Sequence, residues 1–288
     1  MSDNRLKSLL GDGLHIIPGV HNALSAVLAE MANFNALFVT GAGVSNNYLA
    51  EPDLGFLTFD QLLAHVEQIL IKVSLPVFVD FDAGYGDAKL IRRQAKQLAS
   101  LGVAGVFIED QVQPKRCGHF EGKQVVSIQE MTRKIYTLKN LEENLIVVAR
   151  TDSLASEGES RALKRARAYR DAGADATFVE APQTIGQMKK IAALPWPQVI
   201  NMVEGGKTPL LDKNELERMG FFIALYANFA SRMAMKAMKV AYKSLSLQGD
   251  TNVLLDEMMS FEERQEILGL PEWEEFEASL TEAKINQQ

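Results

Sequence analysis

The sequence predicts an α/β protein with the (β/α)8 barrel architecture. Short β-branched or aromatic runs alternate with longer segments whose apolar residues recur at helical spacing, the pattern of βα units around a parallel sheet. Eight such units occur, and 288 residues with 47% hydrophobic side chains suit one barrel of about 250 residues or two smaller domains. Eight strands favour the closed barrel over an open doubly wound sheet. The absence of a Gly-rich fingerprint after the first strand and of a Walker sequence weakens nucleotide-binding versions of that alternative.

Strands are predicted where turn residues bound each short apolar run. In chain order they are 15–20, 36–41, 76–83, 105–111, 145–152, 176–181, 198–204 and 221–227. The helices identified between them are 87–100, 127–138, 156–172 and 211–219, several opening on Ser or Asp and several closing at glycine. The chain is expected to form a single barrel domain, 1–288, with a helical extension from about residue 229.

That extension is predicted to contain helices over 229–248 and 261–283, with a linker at Leu270-Pro271. Its methionine-rich face is interpreted as a packing surface, because methionine fills irregular apolar gaps. The residues of this face are Met233, Met235 and Met238.

Composition and charge exclude several classes of function. A net charge of −7 argues against nucleic-acid binding, because no basic face is available to neutralise phosphates. One cysteine cannot form an intrachain disulfide, and residues 1–11 lack the long apolar segment of a signal peptide. No apolar run is long enough to span a bilayer. We therefore expect a cytoplasmic protein that acts on a small molecule.

Polar groups follow six of the eight predicted strands, at the end where barrel enzymes place their active sites. Strand three ends in Asp80 and Asp82, which share a face because they are two residues apart. The others are Thr40 to Gly43, Glu109, Asp110, Arg150, Asp152, Glu180, Asn201 and Glu204. Each acid alone is more often a salt bridge or helix cap. Several converging acids would repel one another unless a cation lies among them, so the set predicts Mg²⁺ or Mn²⁺.

Four further segments suggest a bound anion and a reactive thiol. Arg150 ends an apolar strand, where a guanidinium is costly unless it meets a carboxylate. The small residues at 40–43 offer backbone N–H groups for a second carboxylate or permit close packing, and 205–209 is either a closing loop or a plain turn. Lys115, Arg116 and His119 surround Cys117, and these cations favour its thiolate. The segment is either a reactive-thiol loop or a solvated basic turn with an incidental thiol.

Five motifs in series resemble the isocitrate lyase and phosphoenolpyruvate mutase superfamily over nearly the whole chain. They are DFDAGYG at 80–86, IEDQ at 108–111, KRCGH at 115–119, ARTD at 149–152 and NMVEGGKTP at 201–209. The cysteine loop resembles the carbon–carbon lyases of this superfamily, the group of 2-methylisocitrate lyase, 2,3-dimethylmalate lyase and the petal death protein. Mutases and oxaloacetate decarboxylases of the superfamily generally lack that cysteine.

The resemblance implies a Mg²⁺-dependent enzyme that breaks a carbon–carbon bond of a 2-hydroxy acid by a retro-aldol step. The implied metal ligands are Asp80 and Asp82. The implied catalytic residues are Cys117 as general acid, Arg116, His119 and Glu109. The implied substrate-binding residues are Thr40, Gly41, Ala42, Asp53, Arg150, Glu180, Asn201 and Thr208. A homotetramer that exchanges its last barrel helix between subunits is implied as well.

Three departures from the 2-methylisocitrate lyase pattern bear on the substrate. Phe38 replaces a tyrosine, so no phenolic base is present there, and Phe120 replaces an arginine. The strand-seven loop carries glycine and Lys207 after Glu204. Loss of a cation near the cysteine loop disfavours a third carboxylate, although Lys207 can restore one. The pattern therefore favours a 2-alkylmalate such as 2,3-dimethylmalate.

The sequence leaves rival functions open. An oxaloacetate decarboxylase and a phosphonopyruvate or carboxyphosphonoenolpyruvate mutase share the same superfamily. A barrel that binds a dicarboxylate without converting it would use the same ligands. A Schiff-base aldolase requires a lysine at a strand end, whereas Lys115 and Lys207 lie in predicted loops.

Overall fold

Eight parallel strands close into a barrel in a computed structural model that describes residues 5–115, 122, 124–141 and 145–285. The predicted (β/α)8 fold is thereby confirmed. Each strand pairs with the next along the chain, and the pair His15–Ile223 belongs to the first-to-last ladder that closes the sheet. The strands are β1 (His15–Val20), β2 (Leu37–Val39), β3 (Val77–Asp80), β4 (Gly105–Glu109), β5 (Ile146–Thr151), β6 (Ala176–Val179), β7 (Gln198–Asn201) and β8 (Ile223–Tyr226).

Most strands are shorter than predicted at their carboxyl ends. The predicted third strand continues to residue 83, but β3 ends at Asp80 because Asp82 takes a left-handed conformation with φ 46°. The second strand, predicted to reach residue 41, ends at Val39, because a helix capped by Thr40 already begins at Gly41. Polar residues interpreted as strand ends therefore lie in the turns at the barrel mouth.

Helices cover the outside of the barrel and begin at capping residues. Asp87, Ser127 and Asp212 each accept a hydrogen bond from a backbone N–H of the first turn, which agrees with the predicted starts to within two residues. The helices up to β8 are α1 (Arg5–Leu10), α2 (Ala23–Met31), α3 (Gly41–Val44), α4 (Phe59–Leu70), α5 (Ala88–Ser100), α6 (Ile128–Lys139), α7 (Ser153–Glu157), α8 (Glu159–Asp171), α9 (Ile185–Ala192) and α10 (Lys213–Met219). A π-helical turn, Ser45–Leu49, follows α3 directly.

One predicted helix, 156–172, is wrong at its start. The structure divides this region into α7 and α8 at Gly158, whose φ of 83° breaks the helical path. Serine and alanine on both sides made the segment look continuous in the sequence. The break lets α7 stay at the barrel mouth, directly after β5, while α8 packs along the outside.

Two apolar layers hold the barrel. Its interior contains the rings of Phe38, Phe107 and Phe178, with centroids 4.8 Å apart for the first pair and 6.5 Å for the second. Between strands and helices lie fully buried side chains such as Ile91 of α5 and Met131 of α6. The aromatic layer fills the barrel beneath the mouth, so the polar groups above it rest on a rigid floor.

The chain divides into two compact units, Met1–Arg232 and Met233–Gln288. The boundary falls within α11 (Phe229–Gln248), which is followed by a 3-10 turn (Asn252–Glu257), α12 (Phe261–Ile267) and α13 (Leu270–Ile285). The predicted linker lies slightly earlier than expected, at Leu268 and Gly269, because Pro271 fits the first turn of a helix, where no N–H is required.

The second unit exposes much of its apolar surface in the single chain. Met233, Met235 and Met238 are 66%, 48% and 46% exposed, so the described part of the chain does not cover the face that was expected to pack. Across the described ranges, no helix has both the length and the apolar character required to cross a bilayer.

Candidate active site

The carboxyl ends of β2 and β3 bring backbone N–H groups beside two carboxylates. The N–H of Gly41 donates to Oδ2 of Asp80 at 3.3 Å, and the N–H of Asp82 donates to the other oxygen of Asp80 at 3.3 Å. A Cβ on Gly41 would lie 3.2 Å from Asp80 Oδ2 and 3.6 Å from Asp82 Oδ1. The missing side chain therefore leaves space between the α3 N-terminus and both acids.

Thr40 and Ala42 flank that glycine. The hydroxyl of Thr40 accepts from the Gly43 N–H at 3.2 Å and donates to Oδ1 of Asn228 at 3.2 Å. Ala42 is half-buried. Thr40 thus fixes the start of α3, a positional role beside the acids.

Lys115 is a member of the site that sequence reasoning missed. Its side chain is only 4% exposed, and its ammonium forms ion pairs with Asp53 and, at 2.7 Å, with Asp82. Burial alone would lower the pKa of Lys115, but Asp82, Asp53 and other nearby carboxylates raise it well above its usual range. A lysine directly before the Arg-Cys-Gly-His run was the available signal, and it was interpreted only as a loop cation.

The nearby cations do not fully neutralise the carboxylates at the barrel mouth. Burial raises the pKa values of Asp80, Asp82 and Glu109 above their ordinary values, and the neighbouring cations Lys115 and Arg150 only partly counteract it. For Asp53 the balance is the same, with burial outweighing the Lys115 ion pair and raising the pKa. An additional cation would relieve this electrostatic cost.

The donor set fits a hard divalent ion. Asp80 and Asp82 supply carboxylate oxygens beside the space left by Gly41, and Oε1 of buried Glu109 accepts no hydrogen bond from the described residues. No group of three or more His, Cys, Asp or Glu side chains within that part of the chain is arranged to hold a metal ion by itself. Mg²⁺ commonly binds through one or two carboxylates and completes its shell with water and substrate oxygens, so two acids are sufficient.

Arg150 lies at the end of β5 among three buried carboxylates. It donates from Nε and Nη2 to Asp152 at 2.8 and 3.0 Å, and its Nε lies 3.4 Å from Glu109 and 3.5 Å from Glu180. Its guanidinium also lies over the ring of Phe178, 5.4 Å from the centroid. Arg150 is therefore a fixed, permanently charged group facing the same mouth.

The seventh strand and its loop contribute neutral polar groups. Oδ1 of Asn201, at the end of β7, and the buried hydroxyl of Thr208 accept or donate no hydrogen bond within the described residues. Glu204, expected at the rim, lies three residues beyond the end of β7 and pairs with Arg232, whose Nη1 lies 3.1 Å from Oε2. Both side chains are largely exposed.

The contacts thus unite eight groups at one barrel end: Gly41, Asp53, Asp80, Asp82, Glu109, Lys115, Arg150 and Glu180. All but Lys115 were expected there. The predicted catalytic residues Arg116, Cys117 and His119 lie outside the described residues. The described residues on either side of them pair with each other just after β4. Gln111 forms a β-bridge with Val125, and the Val112 N–H donates to the Gln124 carbonyl at 2.9 Å.

Comparison with known proteins identifies relatives of this chain. The family model described as phosphoenolpyruvate phosphomutase matches residues 6–246. The chain is 37% identical to 2,3-dimethylmalate lyase of Eubacterium barkeri over 265 residues, covering 91% of this chain and 92% of that protein. It is 39% identical to the petal death protein of Dianthus caryophyllus over 272 residues, covering 93% and 86%.

Solved structures share the fold over almost their full length. Oxaloacetate acetylhydrolase in complex with the inhibitor 3,3-difluorooxalacetate is 33% identical, with a TM-score of 0.89 and coverage of 96% of both chains. Phosphonopyruvate hydrolase in complex with oxalate and Mg²⁺ is 27% identical, with a TM-score of 0.85 and coverage of 96% of this chain and 99% of that one.

Proposed function

Because this chain is an enzyme of the phosphoenolpyruvate phosphomutase family, in the isocitrate lyase superfamily, we propose that it is a Mg²⁺-dependent carbon–carbon lyase. Its substrate is a 2-hydroxy di- or tricarboxylate of the 2,3-dimethylmalate or 2-methylisocitrate type. Cleavage yields a 2-oxo acid such as pyruvate and a second carboxylate. The single observation that supports this proposal is the surplus of buried carboxylates beside Arg150. The carboxylates form a site for a cation, and Arg150 next to them forms a site for an anion.

This pairing suits a 2-hydroxy carboxylate. Asp80 and Asp82 would hold the ion, which when bound supplies Lewis-acid activation of substrate oxygens. Arg150 would hold a substrate carboxylate through its planar guanidinium, and Asp152 keeps that plane oriented. Asn201 Oδ1 and the Thr208 hydroxyl offer hydrogen-bonding capacity that no residue in the described part of the chain uses.

The bond-breaking step moves one proton off the substrate and one onto it. A base removes the proton of the 2-hydroxyl, the bond between carbons two and three breaks, and its electron pair moves to carbon three. Cys117 donates a proton to that carbon as general acid, and Arg116 and His119 supply positive charge beside it. Phe38 offers no proton acceptor and packs against Phe107 in the barrel interior, so the base is another group of the mouth.

The choice of a 2-alkylmalate follows from the loss of one cation near the cysteine loop. Phe120 replaces an arginine of the tricarboxylate enzymes, so a third substrate carboxylate lacks that partner. Relatives named 2,3-dimethylmalate lyase and 2-methylisocitrate lyase are both 37% identical to this chain, so both substrates are tested. The likeness to oxaloacetate acetylhydrolase makes oxaloacetate a further substrate to test.

A product assay tests the proposed reaction. Purified protein is incubated with 2,3-dimethylmalate, 2-methylisocitrate, isocitrate or oxaloacetate, and pyruvate, glyoxylate, oxalate and CO₂ are measured. We expect pyruvate from 2,3-dimethylmalate, abolished by a chelator and restored by Mg²⁺ or Mn²⁺. Release of oxalate from oxaloacetate, with no cleavage of any of the three 2-hydroxy acids, would contradict the lyase and favour a hydrolase.

Substitution of the single cysteine separates cleavage from binding. Cys117→Ser should lower kcat by about 10²- to 10⁴-fold, the usual contribution of a general acid, and leave oxalate binding intact. Intact binding with no turnover in the unsubstituted protein would instead indicate a dicarboxylate-binding barrel. Full-rate loss of CO₂ from oxaloacetate in the variant would favour a decarboxylase.

A homotetramer with exchanged C-terminal helices is part of the proposal. The exposed apolar side chains of residues 233–280 support it, because a monomer rarely leaves so many large apolar groups in water. They include Tyr242, Leu247, Phe261, Trp273 and Phe276.

A further inference from the structure

We infer that Lys134 is a positioning residue for the cation site: its ammonium holds the backbone turn that carries Asp82 in its metal-binding conformation by bonding the Ala83 carbonyl. This inference rests on the proposed function, since it concerns the cation that Asp80 and Asp82 would bind. Lys134 lies on α6, outside the barrel, and touches neither metal nor substrate.

The turn after β3 requires an external restraint. Three of its residues have left-handed backbones, Asp82 with φ 46°, Gly84 with φ 98° and Tyr85 with φ 50°. For residues with a side chain such conformations cost on the order of 1–3 kcal/mol each and persist only when surrounding contacts enforce them. The orientation of the Asp82 carboxylate depends on this backbone, because its Cα belongs to the turn.

Few groups hold the turn. The N–H of Glu109 donates to the Asp82 carbonyl at 2.9 Å, and the N–H of Gly84 closes the turn on the Phe81 carbonyl at 2.9 Å. The Nζ of Lys134 donates to the Ala83 carbonyl at 3.0 Å, whereas Gln94 reaches the Tyr85 carbonyl only at 3.5 Å. Among the described residues, the Asp80 carboxylate accepts from the Asp82 N–H at 3.3 Å, and Lys134 is the positively charged side chain that bonds the backbone of this turn.

A buried lysine is costly at this place. Its side chain is 8% exposed on the inner face of α6, among apolar neighbours such as Met131 and Ile135. Burial lowers the pKa of Lys134, and the carboxylates of Glu130, Glu109 and Asp110 counteract this. An apolar side chain would fill the same volume without the desolvation cost of a charge. The hydrogen bond to the Ala83 carbonyl is an interaction that only a donor such as the ammonium provides.

A positioning role of Lys134 and a purely electrostatic role of its charge predict opposite effects of its removal on metal affinity. Lys134 is a cation near the acidic mouth, so removing its charge alone would tighten the binding of a divalent cation. Removing a restraint on Asp82 would weaken it. The sign of the change therefore distinguishes the two roles.

The test measures Mn²⁺ binding to the substrate-free protein by electron paramagnetic resonance of unbound Mn²⁺. Lys134→Met should raise the dissociation constant about tenfold, the lower end of the effect of residues that orient metal ligands. The matched control is Lys139→Met on the same helix, which removes the 2.7 Å ion pair with Asp175. It should lower the melting temperature and leave the dissociation constant unchanged.

Each outcome has one meaning. An unchanged or smaller dissociation constant in folded Lys134→Met, or an equal rise in Lys139→Met, overturns the inference while leaving the cation site in place. Failure of the unsubstituted protein to bind Mn²⁺ overturns the proposed cation site and the inference with it. If Lys134→Met does not fold, Lys134→Gln replaces it, and its shorter, uncharged side chain should also weaken binding.

Discussion

The guanidinium of Arg150 lies in the mouth with its orientation already set. Asp152 accepts two hydrogen bonds from it, and the ring of Phe178 packs against its face. Glu109 and Glu180 add negative charge around it. A group held this firmly loses little conformational entropy when a ligand arrives, which favours binding of a planar carboxylate.

The prediction for this residue is that Arg150→Lys weakens binding while keeping the charge. Lysine cannot present two parallel N–H groups, so the oxalate inhibition constant should rise at least about tenfold, or about 1.4 kcal/mol. Inhibition of 2,3-dimethylmalate cleavage provides the measurement. The control is Arg218→Lys on exposed α10, for which no change is expected. Equal inhibition constants for the Arg150→Lys variant and the unsubstituted protein would show that Arg150 serves the fold rather than the ligand.

Lys115 shows what single-residue reasoning could not provide. Nothing in the sequence states that a loop lysine folds back 62 positions along the chain to pair with Asp53. The pairing exists because both groups are enclosed with Asp82 away from water. Long-range ion pairs of this kind depend on how loops pack, which residue spacing does not encode.

At the scale of elements, Asp110 ties α8 to the ends of β4 and β5. Its carboxylate, with no exposed surface, accepts from the Tyr169 hydroxyl at 2.6 Å, the Thr151 hydroxyl at 2.7 Å and the Asp152 N–H at 2.9 Å. From the same helix, Arg165 donates to the Val126 carbonyl at 2.8 Å and to both oxygens of Glu157. One helix thus fixes the strand ends and the returning chain at 124–126.

The prediction at this scale is that Tyr169→Phe destabilises the fold. The substitution removes one donor from a buried carboxylate, which costs about 1–3 kcal/mol, and it raises the pKa of Asp110 further because the Tyr169 hydrogen bond lowers it. Urea unfolding measures the loss. Tyr136→Phe is the control, since that side chain is 64% exposed and its change should stay within about 0.5 kcal/mol. Similar losses in both variants would show that the buried network contributes no special stability.

For the whole molecule, the distribution of apolar surface separates the two units. The barrel unit buries most of its large aliphatic side chains, whereas the second unit leaves Trp273 60% and Tyr242 71% exposed. Exposed aromatic side chains of this size are typical of protein interfaces. The surface of Met233–Gln288 is therefore the proposed contact between copies of the chain.

The prediction is that charge on this surface breaks the oligomer. Sedimentation velocity should show a species larger than the 31.9 kDa monomer. Trp273→Glu and Tyr242→Glu should shift it toward the monomer, because a buried unpaired carboxylate is costly. Ile71→Glu places the same charge on a residue of the barrel unit that is 66% exposed, and should leave the size unchanged. A monomeric unsubstituted protein would refute the proposal of a homo-oligomer.

The sequence by itself determined the architecture and the family. Periodicity predicted eight strands in order, and five motifs identified the superfamily, because both are properties of local residue order. It also placed Asp80, Asp82, Glu109, Arg150 and Glu180 at one end, since parallel strands in a barrel all end on the same face.

Only the tertiary structure decided how those groups are paired and held. The ion pair of Lys115 with Asp82, the approach of Arg150 to Glu109 and Glu180 and the Lys134 bond to Ala83 join residues from separate elements. The pairing of Glu204 with Arg232 and the break at Gly158 also depend on where strands and helices end in space. These features follow from packing and enclosure from water, which the order of residues along the chain does not reveal.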